Sequence, residues 1–303
     1  SSAASDVYKR QAVVVRCTAR ALDKALAALE TAPFNLLCIP PLKDGVDLPV
    51  ATRAAAAALC RRRRALFIVD PSQAWTRASE AAAGLDAYFP QRGTESALYF
   101  PFLNAADPLA NGKVRAFAPC GAVAGLIAAS DNDRGLWKAP SGALQGFVGP
   151  AIPIGGQEVE LLTESNVNMV RTLLGRGTIV WGARTLVPAD GSGREYKYIP
   201  VRRLAYYVEE SVSRSLMVMV FEPNAEATWA LVRNAVSRFL DDLWRLGALL
   251  GAKPGEAYYV ACDARTTTPA DIATGRLNVE IGISPVRPAE FQILKIGLAM
   301  QKP

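Results

Sequence analysis

Apolar positions fall into two rhythms along the chain. In residues 12–160, short and wholly apolar runs alternate with longer Ala-rich or amphipathic stretches. Residues 35–39 form one such run, stopped by Pro40-Pro41; residues 65–69 form a second, closed by Asp70-Pro71; residues 97–103 form a third. Residues 50–63 and 72–83, lying between them, predict helices. Continuous apolar strands separated by helices predict a parallel sheet covered on both faces, the signature of an α/β fold. Residues 104–165 are rich in Gly, Pro and Asp and predict one short helix at 121–129. Residues 166–171 and 178–183 read as two strands joined at Gly175-Arg176-Gly177, and the polar stretch 190–193 is the best boundary between domains.

The last third changes rhythm. Pro200 suits the first turn of a helix. Val201, Leu204, Val208 and Val212 give that helix an apolar stripe, with Arg202, Arg203, Glu209 and Glu210 on the side expected to face solvent. Residues 216–221 read as a buried strand. Asn224 is placed to cap the next helix, with Glu226 in its first turn. Trp229, Val232, Val236, Phe239, Leu240 and Leu243 recur at three- and four-residue steps on one face of that helix. Arg238–Asp242 and Asp241–Arg245 are spaced for ion pairs along it, and Gly247 and Gly251 end it. Three strands follow, at 257–262, 277–283 and 291–298. The middle one alternates, with Leu277, Val279, Ile281 and Ile283 against Asn278 and Glu280. The last is apolar on both faces: Phe291 and Ile293 point one way, and Leu294, Ile296 and Leu298 the other. Behind a linker stiffened by Pro285 and Pro288, such a strand is suited to adding to another sheet.

Composition narrows the chemistry. The chain has 303 residues, half of them hydrophobic and 20% charged, enough to build a core. No apolar run reaches the roughly 18 residues of a membrane span. The opening residues contain no apolar stretch of the secretory type. Residues 1–11 show no period and are set apart as a segment either foreign to the fold or disordered. Cys17, Cys38, Cys60, Cys120 and Cys262 lie far apart with no CxxC pair, which predicts reduced, mostly buried thiols. Histidine is absent, so Ser-His-Asp and Cys-His catalysis and HExxH metal sites are excluded. The net charge of +6 is modest, and its one basic block, Arg61 to Arg64, closes an Ala-rich helix where cations complement the helix dipole.

No other constellation replaces histidine. There is no Walker A motif, and Gly191-Ser192-Gly193 lies in a polar loop without a third glycine. Asp131-Asn132-Asp133 opens like a calcium loop, but Gly135 and Gly142 occupy ligand positions. Glu209-Glu210 and Asp241-Asp242 diverge around their helices and cannot converge on one atom. Asp70 stands at a strand's C-terminal end, where α/β proteins place ligand groups. The Asp-Pro-Ser sequence reads better as a turn that starts a helix.

From about Leu85 onward the chain resembles the tail sheath proteins of contractile bacteriophages and related contractile injection systems. Leu98-Tyr99-Phe100-Pro101-Phe102 is similar to a strand of that family. Cys120-Gly121-Ala122-Val123-Ala124-Gly125 and the Gly135-Leu136-Trp137-Lys138-Ala139-Pro140 stretch resemble its Gly-rich helix and "GVWKAPA" segment. Gly175-Arg176-Gly177 with Val180-Trp181-Gly182-Ala183-Arg184-Thr185-Leu186 resembles "GRGxxVWGARTL". Val201-Arg202-Arg203-Leu204, Glu209-Glu210-Ser211 and Phe221-Glu222-Pro223-Asn224 match "VRRL…EES…FEPN", and Pro288-Ala289-Glu290-Phe291 matches "PAEF".

The resemblance implies a subtilisin-like, doubly wound α/β domain, incomplete at its N-terminus, then a smaller α+β domain with an extended C-terminal strand. The corresponding boundaries are 12–187, a linker at 188–197, and 198–303 with an arm at 284–303. It implies a structural subunit, not an enzyme, that assembles as hexameric rings in a helical sheath around a tail tube and contracts. The tube protein and the baseplate and terminator proteins would be its partners, with no cofactor, nucleic acid or membrane insertion. Its place would be the virion tail, assembled in the host cytoplasm. Arg202, Arg203, Glu209 and Glu210 are then either solvated helix charges or contacts to a neighbouring subunit or the tube. Glu290, Phe291, Ile293 and Ile296 are the remaining interface candidates, while Trp181, Phe221 and Trp229 read as core. The rival readings are a small-molecule α/β enzyme using Asp70 with a loop carboxylate, and the sheath of a phage-derived bacterial injection device.

Overall fold

The computed structural model describes residues 22–140, 142–188 and 190–286, and residues 13–14 and 292–299 through their backbone alone. By proximity of Cα atoms the chain divides into two units, 1–203 and 204–303.

The first unit is organised by the apolar runs. They form β1 (Val13–Val14), β2 (Leu36–Cys38), β3 (Leu66–Val69) and β4 (Ser96–Phe100), followed by β8 (Asn168–Leu173) and β9 (Gly177–Trp181). The sheet order is β1-β2-β3-β4-β8-β9, parallel throughout except for the β8–β9 hairpin. Successive side chains divide between its faces. Leu37, Phe67, Val69, Leu98 and Phe100 share one core with α1 (Leu22–Ala28), α2 (Val50–Arg63), α3 (Ala78–Tyr88) and α5 (Gly156–Glu164). Leu36, Cys38, Leu66, Ile68, Ala97 and Tyr99 share the other with α4 (Cys120–Arg134). The expected parallel sheet covered on both faces is therefore present.

Three local expectations shift. The helix expected at 72–83 begins only at Ala78, because Ser72 Oγ and the Gln73 N–H donate to the Asp47 carboxylate and hold a turn there. The Thr76 N–H and hydroxyl then donate to Glu80, which starts the helix downstream. The run 97–103 breaks after Phe100. Pro101 has no N–H for a ladder, and Leu103–Asp107 departs as β5 into a separate antiparallel sheet, β6-β5-β7, with Lys113–Phe117 and Gly149–Pro150 as β6 and β7. The short helix expected at 121–129 is the longer α4.

One helix, α6 (Ile199–Ser215), carries the chain from the first unit into the second. Its stripe of Val201, Leu204, Val208 and Val212 is buried as expected, but so are Arg203, Ala205, Tyr206 and Tyr207. The run Leu216–Phe221 is a 3-10 turn, not a buried strand. The helical backbone of Ser215 simply continues, no strand pairs with the run, and only Leu216 turns inward. Helix α7 (Glu226–Arg245) follows, with Trp229, Val232, Val236, Leu240 and Leu243 buried on one face. Phe239 is half-buried against Tyr207, ring centroids 5.8 Å apart. Asn224 does not cap this helix. Its Oδ1 accepts from Trp229 Nε1 at 2.8 Å, and its Nδ2 donates to the Arg276 carbonyl at 2.8 Å. Arg245 pairs with Asp241 at 2.7 Å, and Gly247 ends the helix with a φ of 78°, a conformation that favours glycine.

After α8 (Pro254–Ala257), a second antiparallel sheet runs β10 (Tyr258–Ala261), β11 (Arg276–Ile283), β12 (Gln292–Ala299), with α9 (Pro269–Ala273) before β11. Leu277, Val279, Ile281 and Ile283 of β11 are all buried. Strand β12 pairs with β11 over its whole length, from Gln292 opposite Ile283 to Ala299 opposite Arg276.

Burial on α7 sets a graded expectation. Trp229→Ala should cost about 3–5 kcal/mol in urea denaturation, since it removes a buried ring and strands the Asn224 side chain. Phe239→Ala should cost clearly less. Equal losses at the two positions would show the helix face to be assigned wrongly.

Candidate subunit interface

The residues expected at an interface separate sharply. Arg203 is only 2% exposed. Its guanidinium forms a bidentate pair with Asp131 of α4, Nη1 to Oδ1 at 2.7 Å and Nη2 to Oδ2 at 2.5 Å. This corrects its placement on a solvent face. The sequence signal was present: Ala205, Tyr206 and Tyr207 stand between the two charged pairs of α6, so that helix has no broad polar face. Arg203 also lies near the buried Tyr99 hydroxyl, whose pKa burial pushes well above its usual value against the opposing effect of the guanidinium. Arg202 is half-buried, its guanidinium 4.3 Å from the centroid of the Tyr196 ring. Glu209 and Glu210 are half-buried, and Glu210 accepts from Arg214 one turn on at 2.7 Å. Glu290 and Phe291 lie outside the described residues. Ile293 and Ile296 stand on β12, opposite Gly282 and Val279.

Two residues read as core are on the surface. Trp181 is half-exposed with the Arg171 guanidinium 5.4 Å from its ring, and Phe221 is 78% exposed. Trp229 is buried as expected.

The α/β unit has a cleft of about 1370 Å³ beyond the C-terminal ends of β2, β3 and β4, where ligands of such sheets usually sit. Pro40, Leu48, Trp75, Phe102 and Phe117 make much of its lining apolar. Several of its polar groups are engaged by neighbours. Arg115 pairs with Asp107 at 2.9 Å and with Asp44, and Asp47 accepts from Ser72 and Gln73. Among the described residues no group of three or more His, Cys, Asp or Glu is placed to hold a metal ion.

Asp70 is buried, and the helix that follows it in sequence begins only at Ala78. Its Oδ1 accepts from the Cys120 N–H at 2.8 Å, at the start of α4, and Oδ2 has no hydrogen-bond partner. Burial pushes its pKa up to about 7 against the stabilising Cys120 contact. Cys38, Cys60, Cys120 and Cys262 are free and buried, in line with the expectation, while Cys17 lies outside the described residues. The basic block is tied down: Arg61 to Glu95 at 2.7 Å, Arg62 to Glu30, and Arg63 to the Ala32 carbonyl at 3.0 Å.

Against this geometry, comparison with known proteins is decisive. A model of the phage tail sheath protein central domain matches residues 16–186, and one of the phage tail sheath C-terminal domain matches residues 192–298. The chain belongs to the phage tail sheath family. The tail sheath protein of Enterobacteria phage T4 is 26% identical over 260 residues, covering 84% of this chain and 35% of that protein. Among solved structures, the sheath complex of an extracellular contractile injection system, PVC, in its contracted state matches with a TM-score of 0.73 at 33% identity, over 91% of this chain and 73% of that one. The helical sheath of the anti-feeding prophage in its contracted state matches at 0.70 and 31% identity, over 89% and 73%. The chain spans about a quarter to a third of the length of the curated relatives it matches.

Two measurements test the buried charges of this tail sheath chain. Arg203→Leu leaves the Asp131 carboxylate without its partner and should cost about 3–5 kcal/mol, whereas the double change with Asp131→Leu should recover much of the loss. A double variant as unstable as the single would show that the ion pair is not what holds the site. For Asp70, the raised folded pKa means that the folded chain keeps a proton the unfolded chain has released. Its contribution to stability is full below the unfolded pKa, near about 3.9, and is lost as pH rises through about 7. Relative to Asp70→Asn, the wild type should lose up to about 1.4 kcal/mol per pH unit across that window in urea denaturation. Parallel pH profiles would refute the assignment.

Proposed function

We propose that this chain is a structural subunit of a contractile sheath and not an enzyme. In this reading it polymerises as stacked hexameric rings around a tail tube and shortens to drive the tube through a target cell envelope. The observation that carries the proposal is the succession of two sheath domain models along the chain, joined to a structural likeness to sheaths solved in a contracted state. The α/β unit is then a subtilisin-like body, joined through a linker at 188–197 to a smaller C-terminal domain. Contraction is a rigid-body rearrangement of subunits tethered by strands, with the energy held in the extended lattice. The tube, baseplate and terminator proteins are the expected partners. The phage-like tail is the expected location.

Strand β12 is the proposed tether. It is the edge of its sheet, pairs with β11 within the chain, and can instead pair with the equivalent edge of a neighbour, as in domain swapping. A second reading concerns the particle. The likeness to sheaths of two such devices, at 33% and 31% identity, supports a phage-derived injection device. Capsid and terminase genes beside the coding sequence would decide for a phage.

Electron microscopy of the full-length protein tests the main reading, with tubes or rings expected. Deleting residues 284–303, or introducing Ile293→Asp or Ile296→Asp, should abolish tubes and leave the body folded by circular dichroism. Tubes of normal length in these variants would remove β12 as the link. Loss of the folded body would place the strand in the intrachain core.

A further inference from the structure

We infer that the 3-10 turn Leu216–Phe221 is a docking surface for a second copy of this chain, an inference that rests on the sheath reading. Six consecutive apolar residues, Leu-Met-Val-Met-Val-Phe, have the composition of a core strand. Yet Met217, Val218 and Phe221 are 65%, 72% and 78% exposed. Surface apolar residues scattered singly need no explanation, but three on one short turn form a contiguous patch of the kind that marks an interaction site.

The turn is also held firmly. Leu216 is buried at one end. At the other, the Glu222 N–H donates to the Met219 carbonyl at 3.0 Å, and Asn224 bridges Trp229 and the Arg276 carbonyl. Helices α6 and α7 bracket it. An apolar turn fixed in this way presents its side chains at little further cost in ordering on contact.

Two arguments make the occupant another copy and not the tube. The turn lies alongside β12, the edge strand proposed to link subunits, so a neighbour that reaches one is brought close to the other. The second argument comes from the contraction cycle. A sheath that lets go of its tube returns the tube-facing surface to water, and surfaces that separate are more polar than those that stay joined. A patch of Met, Val and Phe belongs where contact persists in both states, between sheath subunits. Contacts along a helical polymer are heterologous, so every subunit buries the same patch against a different region of its neighbour.

The test uses the full-length protein expressed with its tube protein. Phe221→Glu and Val218→Glu should lose sheath assembly by electron microscopy and sedimentation, while the unassembled variants keep the circular dichroism and thermal midpoint of the wild type. In assembled particles, a photo-crosslinking benzoylphenylalanine at position 221 should yield a sheath–sheath adduct. An adduct with the tube protein, or no adduct in intact sheaths, overturns the inference. So do variants that assemble in normal yield beside wild-type sheaths, and that result leaves the sheath reading standing. Wild-type protein that forms no sheath at all sinks that reading and takes this inference with it.

Discussion

A parallel sheet cannot leave either face to water, and the first unit is built around that requirement. Its strands are apolar on both sides, so helices must cover both. Four of them share one face, while α4 is the principal helix on the other. That helix is pinned by a carboxyl group at each end. The Asp70 carboxylate receives the first amide of α4, and Asp131 in its last turn grips Arg203. Both carboxyl groups thus serve one purpose, which is to hold that principal cover in place.

Much of this was legible because it depends on short-range pattern. The α2 helix, the β2 and β3 strands and the alternation of β11 follow from period and punctuation alone. The failures share a cause as well. Leu216–Phe221 is apolar enough for a strand, but a strand needs a partner, and the pattern of one segment says nothing about what lies beside it. Arg203 looked solvated because a charge on a helix usually is; only Asp131, 72 positions away, explains its burial. Asn224 fits a cap by type, yet its side chain is taken by Trp229 and Arg276. At Arg203 and Asn224 a distant group outbid a local preference; at Leu216–Phe221 a partner strand was missing.

The same reasoning separates fold from work. The cleft lies where α/β proteins keep their ligands, but position is not chemistry. Its Arg115 is paired with Asp44 and Asp107, Asp47 is taken by Ser72 and Gln73, and the chain has no histidine to move protons near neutral pH. What the chain does present is surface: an exposed apolar turn, a sheet edge, and a half-exposed Trp181. Those features fit the structural role proposed for the chain.

The pairing of β12 with β11 has a kinetic side. A neighbour that seeks either strand edge competes with a partner already aligned over eight residues and attached to the same chain, hence present at high effective concentration. Exchange is therefore slow for two free subunits that meet by chance. It becomes favourable once several weak contacts hold a newcomer in place long enough for its strand to be released. If β12 is the tether proposed above, such a subunit would ignore its own kind in dilute solution and join readily at the end of a growing ring, which would make the template, and not the concentration of subunits, the switch for assembly.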